Sequence, residues 1–278
     1  MRVLVTGGGG FIGSAVVREL ERRGDKPEVF GLEQGGINDA DAVAEAVDGK
    51  DAVIHLAGLL GTHELFDQVH DAIDVNVHGT VNVLDACVAT GAAYVGITMP
   101  VAFESVYTAT KVCATRLASA YHRTYGLPVA HVRAFNAFGP GQAHGPGHPQ
   151  KILPTFATEA WGRRPIPIWG DGSQTVDLIH VDDVARMLVD ATAHGDNVTF
   201  DAGTGEPWTV NQVAALVNAL AHSSAGVNHL PMRRGEVPTK IVATGEGWDR
   251  LGWRPELRTR DIAATVKAYH PVRQLAAP

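Results

Sequence analysis

The sequence contains only two cysteines, Cys87 and Cys113, among its 278 residues. This scarcity excludes a framework of several disulfides, and two isolated thiols suit a reducing compartment, so we expect a cytoplasmic protein. Basic residues are also few, with 23 Lys and Arg against 30 Asp and Glu, for a formal net charge of -7. This balance disfavours a broad basic surface for phosphates, so we expect no nucleic-acid partner.

Long apolar runs are absent as well. The sequence has no window of 18 uninterrupted apolar residues, so it predicts no membrane-spanning helix and no membrane partner. Hydrophobic residues nevertheless make up 45% of the chain. That content can build a sizeable core at this length and excludes a disordered chain.

Apolar runs of strand length alternate with stretches of helical period along the first half of the chain. Residues 2–6 read as a strand and 12–24 as a helix, and the longest helical stretch is predicted over about 67–90. The strands are continuously apolar, which is typical of a parallel sheet with both faces covered. The pattern therefore predicts a doubly wound α/β (Rossmann) domain.

A glycine-rich turn follows the first strand and precedes the first helix. Gly7 opens the turn, and Gly8, Gly10 and Gly13 satisfy the dinucleotide pattern G-x-G-x-x-G. Glycine permits a tight turn, a close backbone approach to a pyrophosphate and close packing of helix on strand. An acidic residue, Glu33, follows twenty positions after Gly13, where a carboxylate binds the adenosine ribose and repels a 2′-phosphate. We therefore predict binding of NAD rather than NADP.

The alternation of strands and helices ends at about residue 138, where a loop rich in glycine and proline begins. Strand-like residues near 198–202 fit the first sheet better than the loops around them. We therefore predict two interleaved units. Residues 1–137 and 176–203 form the NAD-binding Rossmann domain, and residues 138–175 and 204–278 form a smaller substrate lobe.

Several motifs in a fixed order resemble the extended short-chain dehydrogenase/reductase family, and most of all its NAD-dependent sugar-nucleotide epimerases and dehydratases, such as UDP-glucose and UDP-GlcNAc 4-epimerases. The resemblance spans nearly the whole chain. The motifs are the glycine turn, HLAG at 55–58, DVNVHGT at 74–80, Y-x-x-x-K at Tyr107 and Lys111, NAFGPG at 136–141, IHVDDVA at 179–185, MRRGE at 232–236 and LGWRP at 251–255. The cofactor-binding residues that the resemblance implies are Gly7, Gly10, Phe11, Ile12, Gly13, Glu33, Leu56, Ala57, Gly58, Asn76 and Lys111.

Tyr107 and Lys111 are the predicted catalytic pair. They are four residues apart on a predicted helix, so their side chains face the same way. A phenol is a poor base at neutral pH, but a nearby ammonium and the positive nicotinamide stabilise the phenolate. Tyr107 is then expected to remove a sugar hydroxyl proton, while the resemblance implies that Lys111 also binds the nicotinamide ribose.

The hydroxyl that polarises the substrate in the family is harder to assign. Thr98 is the hydroxyl at the end of the preceding strand and is the third predicted catalytic residue, but counting along the strand places Met99 at the usual position, facing the substrate. The loop from this strand to Tyr107 is also unusually short. Glu104 lies in it, and we interpret this residue as a solvated carboxylate or, alternatively, as a second acid or base.

The resemblance also implies a site for a nucleoside diphosphate. Asn136 and Arg233 are expected to contact the diphosphate, and the backbone near Ile168 and Trp169 is expected to address a pyrimidine. Val176 stands where the family commonly has an arginine, so one positive charge is missing. Either Lys151 or Arg234 is a candidate to compensate.

No metal site is predicted. His144 and His148 are four residues apart in a loop, without a carboxylate or cysteine cluster to complete a ligand set. Asp182 and Asp183 are adjacent, and we interpret them as a helix cap.

The motifs together predict an NAD-dependent 4-epimerase acting on a UDP-hexose or UDP-N-acetylhexosamine through a 4-keto intermediate. A dehydratase that shares the first oxidation is the alternative, and a non-catalytic NAD sensor is a third hypothesis that the intact Tyr107 and Lys111 disfavour. The long helices near 67–90 and 107–124 are those through which the family usually dimerises, so a homodimer is expected.

Overall fold

The computed structural model of the protein describes residues 1–145, 148–233 and 235–271. The strands are β1 Arg2–Thr6, β2 Lys26–Phe30, β3 Ala52–His55, β4 Ala93–Thr98, β5 Val129–Ala134, β6 Asn136–Phe138, β7 Ile166–Trp169, β8 Thr175–His180, β9 Asp196–Ala202, β10 Pro207–Thr209 and β11 Val227–Leu230. The helices are α1 Phe11–Arg22, α2 Ala40–Val47, α3 Val69–Ile73, α4 Gly79–Thr90, α5 Val106–Tyr125, α6 Ile152–Trp161, α7 Val181–Ala191, α8 Val210–Leu220, α9 Trp248–Leu251 and α10 Thr259–Ala268.

A six-stranded parallel sheet forms the larger part of the molecule, in the order β2-β1-β3-β4-β5-β9. Helices α1 and α7 pack on one face, and α2, α4 and α5 pack on the other. Burial on both faces explains the continuous apolar strands. The predicted doubly wound α/β fold is confirmed.

The strand order reverses beside β1, since β2 lies on one side of it and β3 on the other. In open parallel sheets, ligands bind outside the carboxyl ends of the strands at such a switch point. The glycine turn after β1 and the segment after β3 therefore border the same crevice.

A smaller unit carries its own apolar core. Strand β8 lies between β10 and β6 in a three-stranded sheet, and β7 pairs with β11. Helices α6, α8 and α10 pack together over these strands. The chain thus enters the small sheet at β6, directly after β5, and returns to the larger sheet with α7 and β9, whose place beside β5 agrees with the strand predicted near 198–202.

The stretch predicted as one helix over about 67–90 is helical from Val69 to Thr90, but it is not a regular α-helix throughout. A 3-10 turn occupies Glu64–Asp67, and α3 is joined to α4 through a π-helical turn at Asp74–His78. The spacing of apolar residues is similar in 3-10, α- and π-helical turns, so periodicity alone did not distinguish these types of helix. The π turn carries a buried asparagine of the candidate site, in keeping with the association of π turns with functional sites.

Candidate active site

The glycine turn is shaped by close backbone contacts. Gly7 has φ +69°, and a Cβ there would lie 2.9 Å from the Ala57 nitrogen. A Cβ on Gly13 would collide with the Gly7 carbonyl oxygen, so α1 begins directly against the turn. Gly9 is different, because its added Cβ would meet nothing within 4 Å. The turn therefore leaves open space above a tightly packed backbone.

The start of α1 fits a pyrophosphate. The first hydrogen bond of the helix runs from the Ser14 N–H to the Gly10 carbonyl, at 2.9 Å, and no side chain caps Gly10. The amides of Phe11, Ile12 and Gly13 precede that bond and have no carbonyl of their own helix to receive them. The first turn carries no acidic residue. Free amides at the positive end of a helix are suited to a phosphate group.

The acidic residue after β2 lies farther from the strand than the sequence suggested. The strand ends at Phe30, so Gly31 follows it directly and Glu33 falls within a 3-10 turn, Leu32–Gln34. The Gln34 side-chain oxygen accepts the Gly31 N–H at 2.8 Å, which closes this turn. Glu33 is exposed to solvent. Its predicted contact with the adenosine ribose remains a proposal.

The segment after β3 is fixed by Thr6 at the end of β1. The Thr6 hydroxyl oxygen accepts the N–H groups of Leu56 and Ala57, both at 3.1 Å. It also bonds the His55 ring nitrogen Nδ1 at 2.8 Å, while His55 Nε2 bonds Thr80 at 3.1 Å. These bonds hold the predicted cofactor-facing backbone against the glycine turn.

Asn76 is buried and fully bonded within the protein. Its Oδ1 accepts the Leu59 N–H at 2.8 Å, and its Nδ2 donates to the Leu59 carbonyl and to the Thr110 hydroxyl, both at 3.1 Å. A Cβ on Gly58 would lie 2.9 Å from Asn76 Oδ1. Asn76 thus joins the segment after β3 to α5, which makes it a positioning residue for the cleft.

Tyr107 and Lys111 lie in the first turns of α5. Ser105 caps this helix by accepting the Thr108 N–H, and Thr110 donates to the Tyr107 carbonyl at 3.1 Å. Burial raises the pKa of Tyr107 to about 12. Lys111 is only 6% exposed, and its burial lowers the pKa of its ammonium to about 8. The protein alone therefore disfavours the phenolate, which needs a further positive charge to form near neutral pH.

Thr98 is bonded to α5. Its hydroxyl lies 3.0 Å from that of Thr115, which also lies 2.9 Å from the Lys111 carbonyl. Thr115 has one hydroxyl proton and can give it to only one of these oxygens. Thr98 can act on a substrate only when Thr115 donates to it. Met99, the next residue, is partly exposed.

Two buried histidines lie close enough to Lys111 to feel its charge. The pKa of His55 falls to about 3 and that of His131 to about 4, chiefly through burial and further through the Lys111 ammonium. Asn197 partly offsets the shift of His131. The His131 Nε2 atom has no hydrogen-bond partner among the described residues. Both rings are therefore neutral at physiological pH.

On the substrate-lobe side, Asn136 is exposed and its Oδ1 accepts the Asp177 N–H at 3.2 Å, joining β6 to β8. The Asp177 carboxylate is fully buried and accepts the N–H groups of Thr204, Gly205 and Ala243. This carboxylate fixes the loops beside Asn136 and leaves the asparagine amide nitrogen available to a ligand.

Arg233 is already paired. Its Nε donates to a Glu236 oxygen at 2.9 Å, and the Thr62 hydroxyl donates to the other oxygen at 3.0 Å. The Arg233 guanidinium also lies 5.7 Å from the centre of the Trp169 ring. The structure thus places Arg233 and Trp169, which were both predicted to bind the substrate, close together.

Some polar groups of the strand predicted to contact a pyrimidine already form hydrogen bonds within the protein. Ile168 is buried, and the Trp169 carbonyl accepts a hydrogen bond from the Gln174 side chain at 2.7 Å. The Trp169 indole N–H donates to Gln150 at 3.0 Å. That carbonyl is therefore engaged within the protein, which leaves other backbone groups of β7 to meet a base.

The family assignment follows from a match of more than half the chain. A model of the NAD dependent epimerase/dehydratase family matches residues 3–98 and 95–203. The chain belongs to this family. The cofactor of the family is NAD, and the free amides of α1 and the open space above Gly9 fit its pyrophosphate.

Similar proteins include both epimerases and dehydratases. A dTDP-glucose 4,6-dehydratase from Streptomyces griseus is 28% identical, over 98% of this chain and 94% of its own length. A UDP-glucose 4-epimerase from Thermotoga maritima, solved with UDP-glucose, shares the fold with a TM-score of 0.90 at 24% identity, with 100% of both chains covered. A UDP-glucose 4-epimerase from Thermus thermophilus, solved with NAD, has a TM-score of 0.83 at 26% identity, covering 98% of this chain and 99% of its own.

Sequence reasoning missed several supporting residues of this epimerase/dehydratase family member. Thr6, Thr110 and Thr115 hold the predicted site residues, but single threonines carry no motif. His131 lies mid-strand, where an isolated histidine in an apolar run gives no functional signal. Helix α7 is capped by His180, whose ring accepts the Asp182 N–H, so the cap predicted at Asp182 and Asp183 is wrong and both belong to the first turn.

Other predictions concern absences and undescribed residues. In the parts of the chain that the structure describes, no three His, Cys, Asp or Glu residues come together as a metal site, and His144 instead bonds Thr158 at 2.9 Å. Among the same residues, no helix has the length and apolar character needed to cross a membrane. Arg234 lies outside the described residues.

Proposed function

We propose that the protein catalyses the 4-epimerisation of a nucleotide sugar, a UDP-hexose or a UDP-N-acetylhexosamine, through a transient 4-keto sugar. The observation that carries this proposal is the pair of Tyr107 and Lys111 in the first turns of α5, the helix whose Thr110 bonds Asn76 beside the segment after β3. The reaction needs one group that takes and returns a single proton, and Tyr107 meets that need. Met99 and Pro100, directly after β4, carry no titratable group, so they offer no second acid or base for another reaction.

The chemistry assigned to each residue follows from charge and burial. NAD held by the glycine turn and the start of α1 would supply the hydride acceptor for C4 of the sugar and the hydride donor to its opposite face. Tyr107 accepts the O4 proton on its phenol oxygen as the C4 carbonyl forms, and donates the same proton back when the carbonyl is reduced. Lys111, with a pKa of about 8, is mostly protonated at neutral pH and stabilises the phenolate.

The opposite lobe offers groups for the nucleotide. Asn136 presents its amide nitrogen, and Arg233 lies beside Trp169 at the end of β7. Arginine forms bidentate contacts with phosphate, and the backbone of β7 near Ile168 offers hydrogen-bonding groups for a base. The solved UDP-glucose 4-epimerases with this fold support a UDP-sugar as the substrate class.

A 4,6-dehydratase is the second candidate, favoured by the relative from Streptomyces griseus. Elimination of water requires an acid or base beyond the one that serves oxidation. Glu104 is the carboxylate in the short loop before α5, and it is exposed to solvent. Epimerisation needs no such group, which is why we favour it.

We also propose a homodimer built on α3, α4 and α5. Val69, Ile73 and Val88 are exposed apolar residues along the α3–α4 stretch, each 37–38% accessible. Ala109 and Cys113 are exposed on α5, which packs beside α4. Sedimentation velocity should give a species of twice the chain mass. Ile73→Glu should shift it to the monomer, whereas a wild-type monomer would refute the proposal.

A product screen tests the activity. The NAD-loaded protein is incubated with UDP-glucose, UDP-GlcNAc and the corresponding dTDP- and GDP-sugars, and products are separated and identified by NMR. We expect the C4 epimer of a UDP-sugar. A 4-keto-6-deoxy sugar as the product would establish the dehydratase instead, and no product from any sugar would contradict both.

A further inference from the structure

The hydroxyl of Thr98 has a single partner. Thr98 ends β4 and is 9% exposed, and among the residues that the structure describes its hydroxyl bonds only that of Thr115, at 3.0 Å. The residue beside Thr98 in the sheet is Arg133, on β5. The Arg133 guanidinium donates to Asp201 at 2.7 Å and to Glu246 at 2.6 Å, so these two donors are engaged elsewhere. The direction of the Thr98 proton therefore depends on Thr115.

The turn of α5 that carries Thr115 is tied to the sheet. Ser119 follows one helical turn later, and its hydroxyl oxygen lies 3.1 Å from the Thr115 carbonyl oxygen. The same hydroxyl lies 2.9 Å from the side-chain oxygen of Asn197, on β9. This contact between helix and sheet keeps the hydroxyls of Thr115 and Thr98 within hydrogen-bonding distance.

The two threonines have two arrangements of their protons. In the first, Thr115 donates to the Lys111 carbonyl, 2.9 Å away, and Thr98 donates to Thr115, so the Thr98 proton points into α5. In the second, Thr115 donates to Thr98, and the Thr98 proton is left for a ligand. The Lys111 carbonyl also accepts the Thr115 N–H within the helix, so it does not depend on the hydroxyl. The second arrangement therefore leaves no backbone group unsatisfied.

We propose that Thr115 is a positioning residue, which turns the Thr98 proton toward the oxygen at C4 of the sugar. The proposal rests on the proposed function, because it assumes that this oxygen enters the cleft and becomes a carbonyl. Negative charge grows on the oxygen as its proton passes to Tyr107, and a hydroxyl donor stabilises such charge. A Thr98 hydroxyl that accepts a bond from Thr115 is also a stronger donor, since hydrogen bonds in a chain polarise one another.

Matched substitutions separate this role from packing. Thr115→Val keeps the shape of the side chain and removes the hydroxyl, Thr115→Ala removes the same hydroxyl with a smaller side chain, and Thr115→Ser keeps it. Thr265→Val is the control, because Thr265 is buried on α10 and its hydroxyl bonds the carbonyl one turn earlier, at 2.8 Å, as that of Thr115 does. The values of kcat and KM are measured with the nucleotide sugar that the wild-type protein turns over. Either product serves, since epimerisation and dehydration begin with the same oxidation.

We expect Thr115→Val and Thr115→Ala to lower kcat about tenfold, the rate equivalent of one hydrogen bond. KM and the calorimetric dissociation constant of UDP should stay unchanged, because the lost bond acts on the reacting oxygen and not on the nucleotide. Thr115→Ser should restore kcat, and Thr265→Val should keep it.

A double-mutant cycle gives the decisive result. Thr98→Val should lower kcat about 100-fold by removing the donor. Adding Thr115→Val to it should lower kcat no further, because Thr115 acts through Thr98. Wild-type kcat in either single variant, or losses that multiply in the double variant, would overturn the role of Thr115 alone. A wild-type protein that turns over no nucleotide sugar would refute the proposed function, and this role with it.

Discussion

On the cofactor side of the cleft, an added Cβ at Gly13 would meet the backbone carbonyl of Gly7. On the substrate side, Arg233 is placed by a side-chain pair with Glu236. The first kind of contact is a matter of backbone shape, which only glycine permits. The second depends on which charged side chains face one another, so a single substitution can change it.

This difference explains how each side recognises an anion. The amides of α1 exist in any sequence that folds this way, so the cofactor needs no arginine or lysine at the turn. The substrate lobe has to supply cations from loops. An acidic chain can therefore bind two anionic ligands with few positive side chains.

The largest effect on activity is expected at Tyr107. Tyr107→Phe removes the acid and base from the reaction, and we expect kcat to fall about 10³-fold. NAD content and UDP affinity should stay near those of wild type. Tyr125→Phe, on the exposed end of the same helix, is the control and should keep full activity. A Tyr107→Phe enzyme with wild-type kcat would remove Tyr107 from the proposed mechanism.

Substitutions in the glycine turn test whether backbone shape builds the cofactor site. Gly13→Ala forces a Cβ against the Gly7 carbonyl, so we expect a loss of about 3 kcal/mol in stability together with loss of bound NAD. Gly9→Ala meets no atom within 4 Å and should leave the melting temperature of NAD-free protein unchanged. Equal melting temperatures for the two variants would contradict a backbone-shaped site.

The two buried histidines near Lys111 make the stability of the protein depend on pH. The pKa of His131 is lowered from 6.5 to about 4, so the unfolded state binds more protons between these values. The contribution of His131 to the free energy of unfolding is therefore fully present above pH 6.5. It decreases as the pH falls toward 4, by up to about 1.4 kcal/mol per pH unit.

Urea unfolding at several pH values measures this slope. His131→Gln should flatten the loss between pH 6.5 and 4, whereas the same change at the exposed His70 should leave the slope as it is. An unchanged slope in His131→Gln would show that the ring is not held neutral in the folded protein.

The smallest effect is expected at Glu33. It is exposed in the turn after β2, so Glu33→Gln removes at most one solvent-facing contact to the ribose. We expect the dissociation constant of NAD to rise about three- to tenfold, consistent with an ordinary hydrogen bond. A loss of NAD affinity beyond a hundredfold would mean that a side chain, and not the backbone of the glycine turn, contributes most to NAD binding.

The features that the sequence could predict are those set by local backbone shape and by local residue patterns. Glycines at Gly7, Gly10 and Gly13 mark a backbone shape directly, and the apolar strands mark a sheet buried on both faces. The pair of Tyr107 and Lys111 was predicted from the Y-x-x-x-K motif of the family it resembles, and both residues lie on one helix. These features are local, so a single sequence is enough to recognise them.

Other features depend on contacts between distant segments. The bond between Thr98 and Thr115 joins a strand to a helix, and the π turn that places Asn76 has the same apolar pattern as an α-helix. The pairing of Arg233 with Glu236 was missed because both stood within one motif that was interpreted as ligand binding.

The central claim is that one proton-transferring tyrosine serves a reaction confined to C4. Turnover of the accepted UDP-sugar in deuterated water, followed by NMR of the product, tests it most directly. We expect a C4 epimer without carbon-bound deuterium, because the hydride returns to the carbon it left. Solvent deuterium at C5 or C6 would contradict it and establish an elimination.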